Sequence, residues 1–496
     1  MRLNEIAPAP ASRAWLAVLA VLTMSALLAR AVNLGGPALW TDEMYSFSIA
    51  SGPLGPLLVE QDQTPPLFTL LLHFWIKVAG SGDLALRVPS ALAGTAAVPV
   101  TFFVARRYLD PAASFLAAGL IALSVYGVVV SQEARPYALF LLLAGTGMLT
   151  LLRFEERPDR GRAVAHGAVA VLLLYTHAYA LLFVAAHTLY VLLRHGGDAA
   201  WRRRWLALQG FVAVAYAPWL PTLLASSQRV AGDFWLRPPG WAEALRTLST
   251  LAGSWAGPYV AVPLLALAVW WTARATRATR GRLRDSGDRS SLLWLSIGLP
   301  VVLPFVLSYA LPVYTPKYAI PASIPVVILA VVALRRLTAA WRPPAFAVVT
   351  GILLAISTGM VASYFVTGQP EDRKQDWRTA AALVEVAPAS TAVVFNNGYC
   401  DSVSTAPMCA FGRYSGRTDL RLVPFFFEDH GMAPPVTNAS VQQLGPLVAG
   451  APEVWVIYTY GGSDNGLIAQ ELERLGYRYI EAWEPKNLVI QRFAAP

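Results

Sequence analysis

Asp42 and Glu43 stand side by side in Leu39-Trp40-Thr41-Asp42-Glu43-Met44-Tyr45-Ser46, just beyond an apolar run from Ala14 to Leu34. That run is long enough to cross a bilayer, for which about 20 apolar residues suffice. Two carboxylates at the exit of a first membrane helix lie at the water boundary. They are either solvated loop residues or a site acting on something the membrane presents. The second reading gains from the same loop, which goes on through Glu60, Asp62 and Thr64-Pro65-Pro66-Leu67. A carboxylate at this level can serve as general base toward an acceptor hydroxyl. Adjacent residues do not easily point into one pocket, so one is the base and the other a support or substrate contact.

Later loops add cations and rings. In Ser131-Gln132-Glu133-Ala134-Arg135-Pro136-Tyr137, Arg135 is planar and permanently charged, which suits bidentate phosphate recognition. The alternative is an interfacial Arg paired with Glu133. In Tyr314-Thr315-Pro316-Lys317-Tyr318, the Lys can meet phosphate as a point charge or reach for lipid headgroups. His177, in Tyr175-Thr176-His177-Ala178-Tyr179, has no metal-ligand spacing to His187 and reads first as a packed or interfacial ring. There is no Gly-rich phosphate loop, no His-Glu-x-x-His and no Asp-x-Asp triplet. A nucleotide-driven pump and a cytoplasmic nucleotide-sugar enzyme are therefore poorly supported.

The elements that must position these residues are membrane helices. Of 496 residues, 56% are hydrophobic and 14% charged, against about 25% charged in soluble domains. The net charge of +9 sits in short Arg clusters between apolar runs, as in cytoplasmic loops, so nucleic acid is not expected as a partner. Apolar runs lie at about 14–34, 86–106, 112–131, 137–152, 163–176, 178–193, 205–225, 258–273, 291–311, 319–334 and 344–366. The expectation is thus a mainly α membrane protein with a bundle of about 11 transmembrane helices over residues 1–366. Arg106-Arg107, Arg153 to Arg162, Arg194 to Arg204, Arg274 to Arg289 and Arg335 to Arg342 fall on one side, which should be cytoplasmic with the N-terminus. Asp42, Glu43, Asp62, Glu133, Arg135, Tyr137, Lys317 and Tyr318 then face outward. The first outer loop spans about 35–85, and its apolar stretch 65–77 is short enough to lie on the surface rather than span. Residues 367–496 change character. Strand-length runs (392–395, 454–458, 488–490) alternate with helical patterns at 376–386 and 467–475, the latter ending at Gly476. They predict a small extracytoplasmic α/β domain in a multi-pass protein of the cell membrane.

Several stretches resemble one family. Trp40-Thr41-Asp42-Glu43, Thr64-Pro65-Pro66-Leu67 with His73-Phe74-Trp75, and Leu86-Arg87-Val88-Pro89-Ser90-Ala91-Leu92 are similar to the start of GT-C glycosyltransferases. The nearest group resembles bacterial relatives of protein O-mannosyltransferases and aminoarabinose transferases. Residues 131–137, 175–177, 317–318 and Gln375-Asp376-Trp377-Arg378 fit the same order. The resemblance implies a GT-C bundle and an inverting transferase. Such an enzyme takes a sugar from a polyprenyl-phosphate donor to a lipid, glycan or protein hydroxyl on the outer face. It implies Asp42 as base, and Glu133, Tyr137, Tyr318, Asp62 and His177 near substrate. It requires no cofactor and leaves room for a divalent metal, for which no residue is assigned. Aminoarabinose transferases have Lys where Thr64 stands, and many relatives have Arg where Lys317 stands, so the donor phosphate falls to Lys317 and Arg135. Rival readings are a lipid-linked sugar flippase or transporter, and a non-catalytic envelope protein.

Two outcomes follow. A reporter active only outside the cytoplasm should work when fused after residue 366 and fail when fused near 200 or 280; the opposite pattern overturns the orientation. Cys400 and Cys409, the sole cysteines, fall on the oxidising side, where a bridge over so short a loop would stabilise by roughly 2–3 kcal/mol. Mass spectrometry of protein from the native envelope should find them bonded, not as free thiols.

Overall fold

A computed structural model describes residues 12–55, 64–225, 238–253, 262–271, 289–311, 313–339, 344–367, 374–396, 406–425, 441–459 and 466–495. All eleven apolar runs coincide with helix in the described residues. The chain opens with α1 (Arg13–Ala31), whose first turn is capped by the Ser12 hydroxyl accepting from the Trp15 amide. Two short helices, α2 (Thr41–Ser51) and α3 (Leu67–Ala79), form the first loop. Next come α4 (Asp83–Ala105), α5 (Pro111–Ala122), α6 (Val125–Ser131) and α7 (Tyr137–Glu156). The hairpin α8 (Arg160–Leu174) and α9 (Ala180–His195) precedes α10 (Ala199–Tyr216) and α11 (Trp241–Leu251). The bundle closes with α12 (Ser290–Ile297), α13 (Ser323–Thr338) and α14 (Pro344–Thr367). Among the described residues, seven helical stretches are long and apolar enough to cross a membrane, or eight if the bent pair α5–α6 is one span. Leu67–Ala79, Ala180–His195 and Val262–Trp271 are apolar but shorter. The stretch containing α13 is the bundle's centre, 89% buried, whereas those of α1 and α14 are 17% and 22% buried and turn most of their apolar surface outward.

The 54° bend between α5 and α6 has a local cause. Ser124 caps α6, its hydroxyl accepting from the Gly127 amide at 3.0 Å. Carbonyls of the last turn of α5 lack a continuing helix. Arg30, wholly buried at the end of α1, donates to Ala122 O (3.0 Å) and Ile121 O (3.4 Å), and its Nε to Ser131 Oγ (3.2 Å). Gly94 of α4 lets these groups come close, because a Cβ there would lie 2.0 Å from Ser131 Oγ.

Beyond the bundle lie α15 (Trp377–Val384), β1 (Ala392–Asn396), α16 (Ala406–Tyr414), β2 (Arg421–Phe425), α17 (Leu444–Val448), β3 (Glu453–Thr459), α18 (Leu467–Arg474), β4 (Arg478–Trp483) and β5 (Leu488–Ala494). The sheet order is β2-β1-β3-β5-β4, with β1 parallel to β2 and β3, and β5 antiparallel to β3 and β4. Sequence patterning finds β1, β3, β5, α15 and α18 but misses β2, β4, α16 and α17. Both missed strands are edge strands: β2 contains Pro424, a residue tolerated at a sheet edge, and β4 is almost wholly exposed. Gly476 ends α18 at φ +94, a conformation glycine adopts without a steric cost. One sheet face (Ala392, Val394, Val454, Val456) packs under α17 and α18. The other (Val393, Phe395, Trp455, Ile457) shares a core with Trp377 of α15 and with Leu39, Met44, Phe68 and Leu72 of the first loop. Asp83 adds a polar clamp, accepting from Arg413 (2.8 Å), Arg378 and Tyr414 Oη (2.7 Å). Tyr414 Oη in turn accepts from the Leu39 amide at 2.7 Å.

The first loop is held from below by a buried ion pair. Arg87 of α4 and Glu43 of α2, at 1% and 0% side-chain exposure, form two parallel bonds of 2.7 and 2.6 Å. Removing one member of such a pair strands a buried charge and costs about 3–5 kcal/mol. Arg87→Met should therefore lower thermal stability in detergent by that order. Arg87→Met combined with Glu43→Leu removes the stranded charge and should recover part of the loss, because Arg87 also serves the carbonyls of Leu34, Pro37 and Ala38 and Glu43 the Ala134 amide. A double variant no more stable than the single would show that the stranded charge is not what destabilises it.

Candidate active site

The first turn of α2 points its two acids apart, since successive helical residues diverge by about 100°. Glu43 turns inward, where its carboxylate also accepts from the Ala134 amide (2.8 Å) and the Trp40 amide (3.3 Å). Asp42 turns to the surface of the bundle and is 37% exposed. Its Oδ2 lies 3.3 Å from Lys317 Nζ and 3.9 Å from an Arg135 terminal nitrogen. Arg135 also donates to Asp42 O and Ser46 Oγ, both at 3.1 Å, so it fixes the α2 backbone while facing the carboxylate. Lys317 sits in the 3-10 turn Pro316–Ala322 that leads into α13. Its ammonium rests 4.6 Å above the Tyr137 ring and 4.8 Å from the Trp40 ring, within cation–π range.

Aromatic rings line this group. Tyr137 and Tyr318 lie nearly parallel at 6.3 Å. His177 stacks on Phe140 at 4.9 Å and meets Tyr318 at 4.8 Å, and its Nδ1 accepts from the Tyr179 amide at 3.2 Å. Burial, then the nearby Arg135 and Lys317, push the His177 imidazole down to about 3, so it is a neutral ring at ordinary pH. Glu133 is buried beside the same group. Its Oε1 is 3.8 Å from Lys374 Nζ, and its Oε2 has no hydrogen-bond partner. Burial raises its proton affinity, while Lys374 and then Lys317 pull it back.

Asp42, Glu43, Glu133, Arg135, Tyr137, His177, Lys317 and Tyr318, which the sequence singles out, are thus brought together. Asp62 and Cys400 lie outside the described residues, as does the side chain of Cys409. Sequence reasoning overlooked Lys374. The signal was its place directly before Gln375-Asp376-Trp377-Arg378, a cation ahead of a stretch already recognised. It also overlooked the structural duty of Arg87 and the aromatic seat that Trp40 gives Lys317. Among the described residues, no group of three His, Cys, Asp or Glu side chains is placed to hold a metal ion. Chemically, the arrangement offers a reachable carboxylate, two cations suited to an anion, an acid with an open acceptor atom, and an aromatic wall.

A family model described as dolichyl-phosphate-mannose-protein mannosyltransferase matches residues 63–222. ArnT from Cupriavidus metallidurans in the apo state is similar over 97% of this chain and 98% of its own, at 17% identity and a TM-score of 0.61. The same protein bound to undecaprenyl phosphate gives 16% identity and 0.59 over the same shares. The Archaeoglobus fulgidus oligosaccharyltransferase, in complex with Zn and sulfate, is similar at 12% identity and a TM-score of 0.54, over 96% of this chain and 73% of its own. No curated protein sequence matches the chain. The structural likeness shows the fold, which is the GT-C glycosyltransferase fold that the sequence motifs imply.

Proposed function

We propose that this chain, built on the GT-C fold, transfers a sugar from a polyprenyl-phosphate donor to an acceptor hydroxyl at the outer face of the membrane, with inversion. The observation that carries the reading is the exposed Asp42 carboxylate facing Lys317 and Arg135 at the end of the bundle. Three things support it. The matched family's description names a phosphate-linked mannose donor. ArnT, of similar fold, binds undecaprenyl phosphate. A fourth solved structure, the Archaeoglobus fulgidus oligosaccharyltransferase tethered with an acceptor peptide, is similar at 12% identity and a TM-score of 0.53. The helix directions support the orientation. The chain passes from Asp42 through α4 to Arg106-Arg107, and from Tyr137 through α7 to Arg153, so the Arg-rich loops lie at the far end.

In the proposed reaction, the acceptor oxygen attacks the anomeric carbon while Asp42 takes its proton. The bond from that carbon to the phosphate oxygen breaks, and polyprenyl phosphate leaves as a stable anion held by Lys317 and Arg135. Inversion places the attacking and leaving oxygens on opposite sides of the sugar. Lys317 stands 3.3 Å from Asp42, so a sugar entering between them would draw the ammonium onto the phosphate. Asp42, relieved of its cation, becomes a better base when the donor arrives. The open Oε2 of Glu133 can accept from a sugar hydroxyl. Mannose is the first sugar to test.

Asp42→Asn keeps the size of the side chain but cannot accept the proton. Transfer should drop by about 10²-fold or more with donor binding retained. Lys317→Ala and Arg135→Ala should show the reverse emphasis, a weakened donor affinity because the phosphate loses its partner. The measurement is transfer rate and donor affinity in purified protein, after membrane expression is matched. Near wild-type transfer by Asp42→Asn would remove Asp42 from the role of base.

A further inference from the structure

Residues 374–376 form a strap between the bundle and α15, and they touch both units. Their backbone belongs to the C-terminal unit: Asn487 Nδ2 donates to Lys374 O (3.0 Å) and the Asp376 amide to Lys486 O (3.1 Å). Asn487 sits at φ +56 in the β4–β5 turn, where Asn is among the few residues that adopt the left-handed region readily. Asp376 caps α15 through the Thr379 amide and hydroxyl. The two side chains before it reach the other way. Gln375 Oε1 accepts from the amide and hydroxyl of Thr41, the residue before Asp42, at 3.2 Å each. Lys374 Nζ, buried, stands 3.8 Å from Glu133.

We infer that Lys374 is a positioning residue for the transfer reaction, holding Glu133 charged and in place through their ion pair, so that the C-terminal unit completes the site. The inference rests on the proposed function. Its chemistry follows from what surrounds Glu133. Two acids of α2, Asp42 and Glu43, face it, as does Tyr126 of α6, and its burial favours the neutral form. Two cations oppose them, Lys374 from the strap and Lys317 from the 3-10 turn. Lys317 also stands beside Asp42 and is the proposed holder of the donor phosphate, whereas Lys374 is the cation that the strap brings to Glu133. Loss of the Lys374 ammonium therefore raises the proton affinity of Glu133, and the carboxyl stays protonated to a higher pH than in the wild type. A protonated Glu133 no longer presents a charged acceptor to a sugar hydroxyl.

The test uses the full chain in lipid nanodiscs, with Lys374→Met, Lys374→Gln and Lys374→Arg, each alone and with Glu133→Gln. Infrared titration reads the protonated carboxyl directly. A band should appear in the Met and Gln variants at a pH where the wild type and the Arg variant lack it, and vanish when Glu133→Gln is added. Transfer from mannosyl polyprenyl phosphate should fall about tenfold near neutral pH for each unit that the carboxyl pKa rises above it. It should recover as pH is raised, stay near wild type with Arg, and show no further loss in the Glu133→Gln background. Absence of the new band, or a rate loss equal at every pH and additive with Glu133→Gln, would overturn the inference. Should the wild type transfer none of the sugars offered, the proposed function fails, while the infrared titration still decides whether Lys374 sets the charge of Glu133.

Discussion

The loops at the Asp42 end of this bundle hang on the pair between Arg87 and Glu43. Arg87 uses its whole guanidinium: two bonds to Glu43, and one each to the carbonyls of Leu34, Pro37 and Ala38. Those carbonyls belong to the turn between α1 and α2, which has no regular structure of its own to satisfy them. Glu43 receives the Ala134 amide as well, so the same carboxylate ties the second outer loop to the first. A buried ion pair costs much desolvation and repays it only where the remaining polar atoms find partners. Here they do, and the cost is offset by fixing two loops against one another. Because Glu43 is consumed inward, its neighbour Asp42 must face outward, which divides the acid pair into a support and an exposed carboxylate, the proposed base.

The second loop is aimed by the break between α5 and α6. Without the bend, α6 would continue along α5 and carry Glu133 and Arg135 away from α2. Arg30 makes the bend tenable by meeting the carbonyls of the interrupted turn, and it needs Gly94 to let Ser131 approach. An Arg at the end of a first apolar helix looks from sequence like an interfacial residue reaching for headgroups. The structure puts it to different use, as a buried donor that shapes a break four helices on. The chain from sequence to site thus passes through residues that never approach the substrate position.

What could be read from the sequence was chiefly what depends on local pattern. Apolar runs gave the helices, and alternating Arg clusters gave an expected outer side on which Asp42, Glu133, Arg135, Tyr137, His177, Lys317 and Tyr318 all fell. Motif order gave the GT-C fold. Pairings across 275 residues (Lys317 with Asp42) or between the strap and Glu133 leave no local pattern. Edge strands β2 and β4 escaped because a strand with one neighbour needs little apolar surface. How many of the shorter helices cross the bilayer also turns on packing rather than on hydropathy alone. Arg87 was visible in a recognised stretch, yet its partner was not, since only the fold brings α4 beneath α2.

The balance of charge in the assembled site gives the proposed reaction a direction. Among the described residues, and leaving aside the self-satisfied Glu43–Arg87 pair, the site sets three cations (Arg135, Lys317, Lys374) against two carboxylates (Asp42, Glu133), a surplus of one positive charge. His177, buried and neutral, adds nothing to it. A polyprenyl-phosphate sugar is a phosphodiester with a single negative charge, so it fits that surplus. When Asp42 takes the acceptor's proton, the surplus rises to two. At the same step the leaving group becomes a phosphate monoester, which carries about −1.5 to −2 near neutral pH. Charge created on the leaving oxygens is therefore met by charge removed from Asp42, and the same two cations see both changes. A fourth fixed cation in place of His177 would overbalance the site and bind the product more tightly than the donor. That is a physical reason for an aromatic wall, rather than a basic one, behind Lys317.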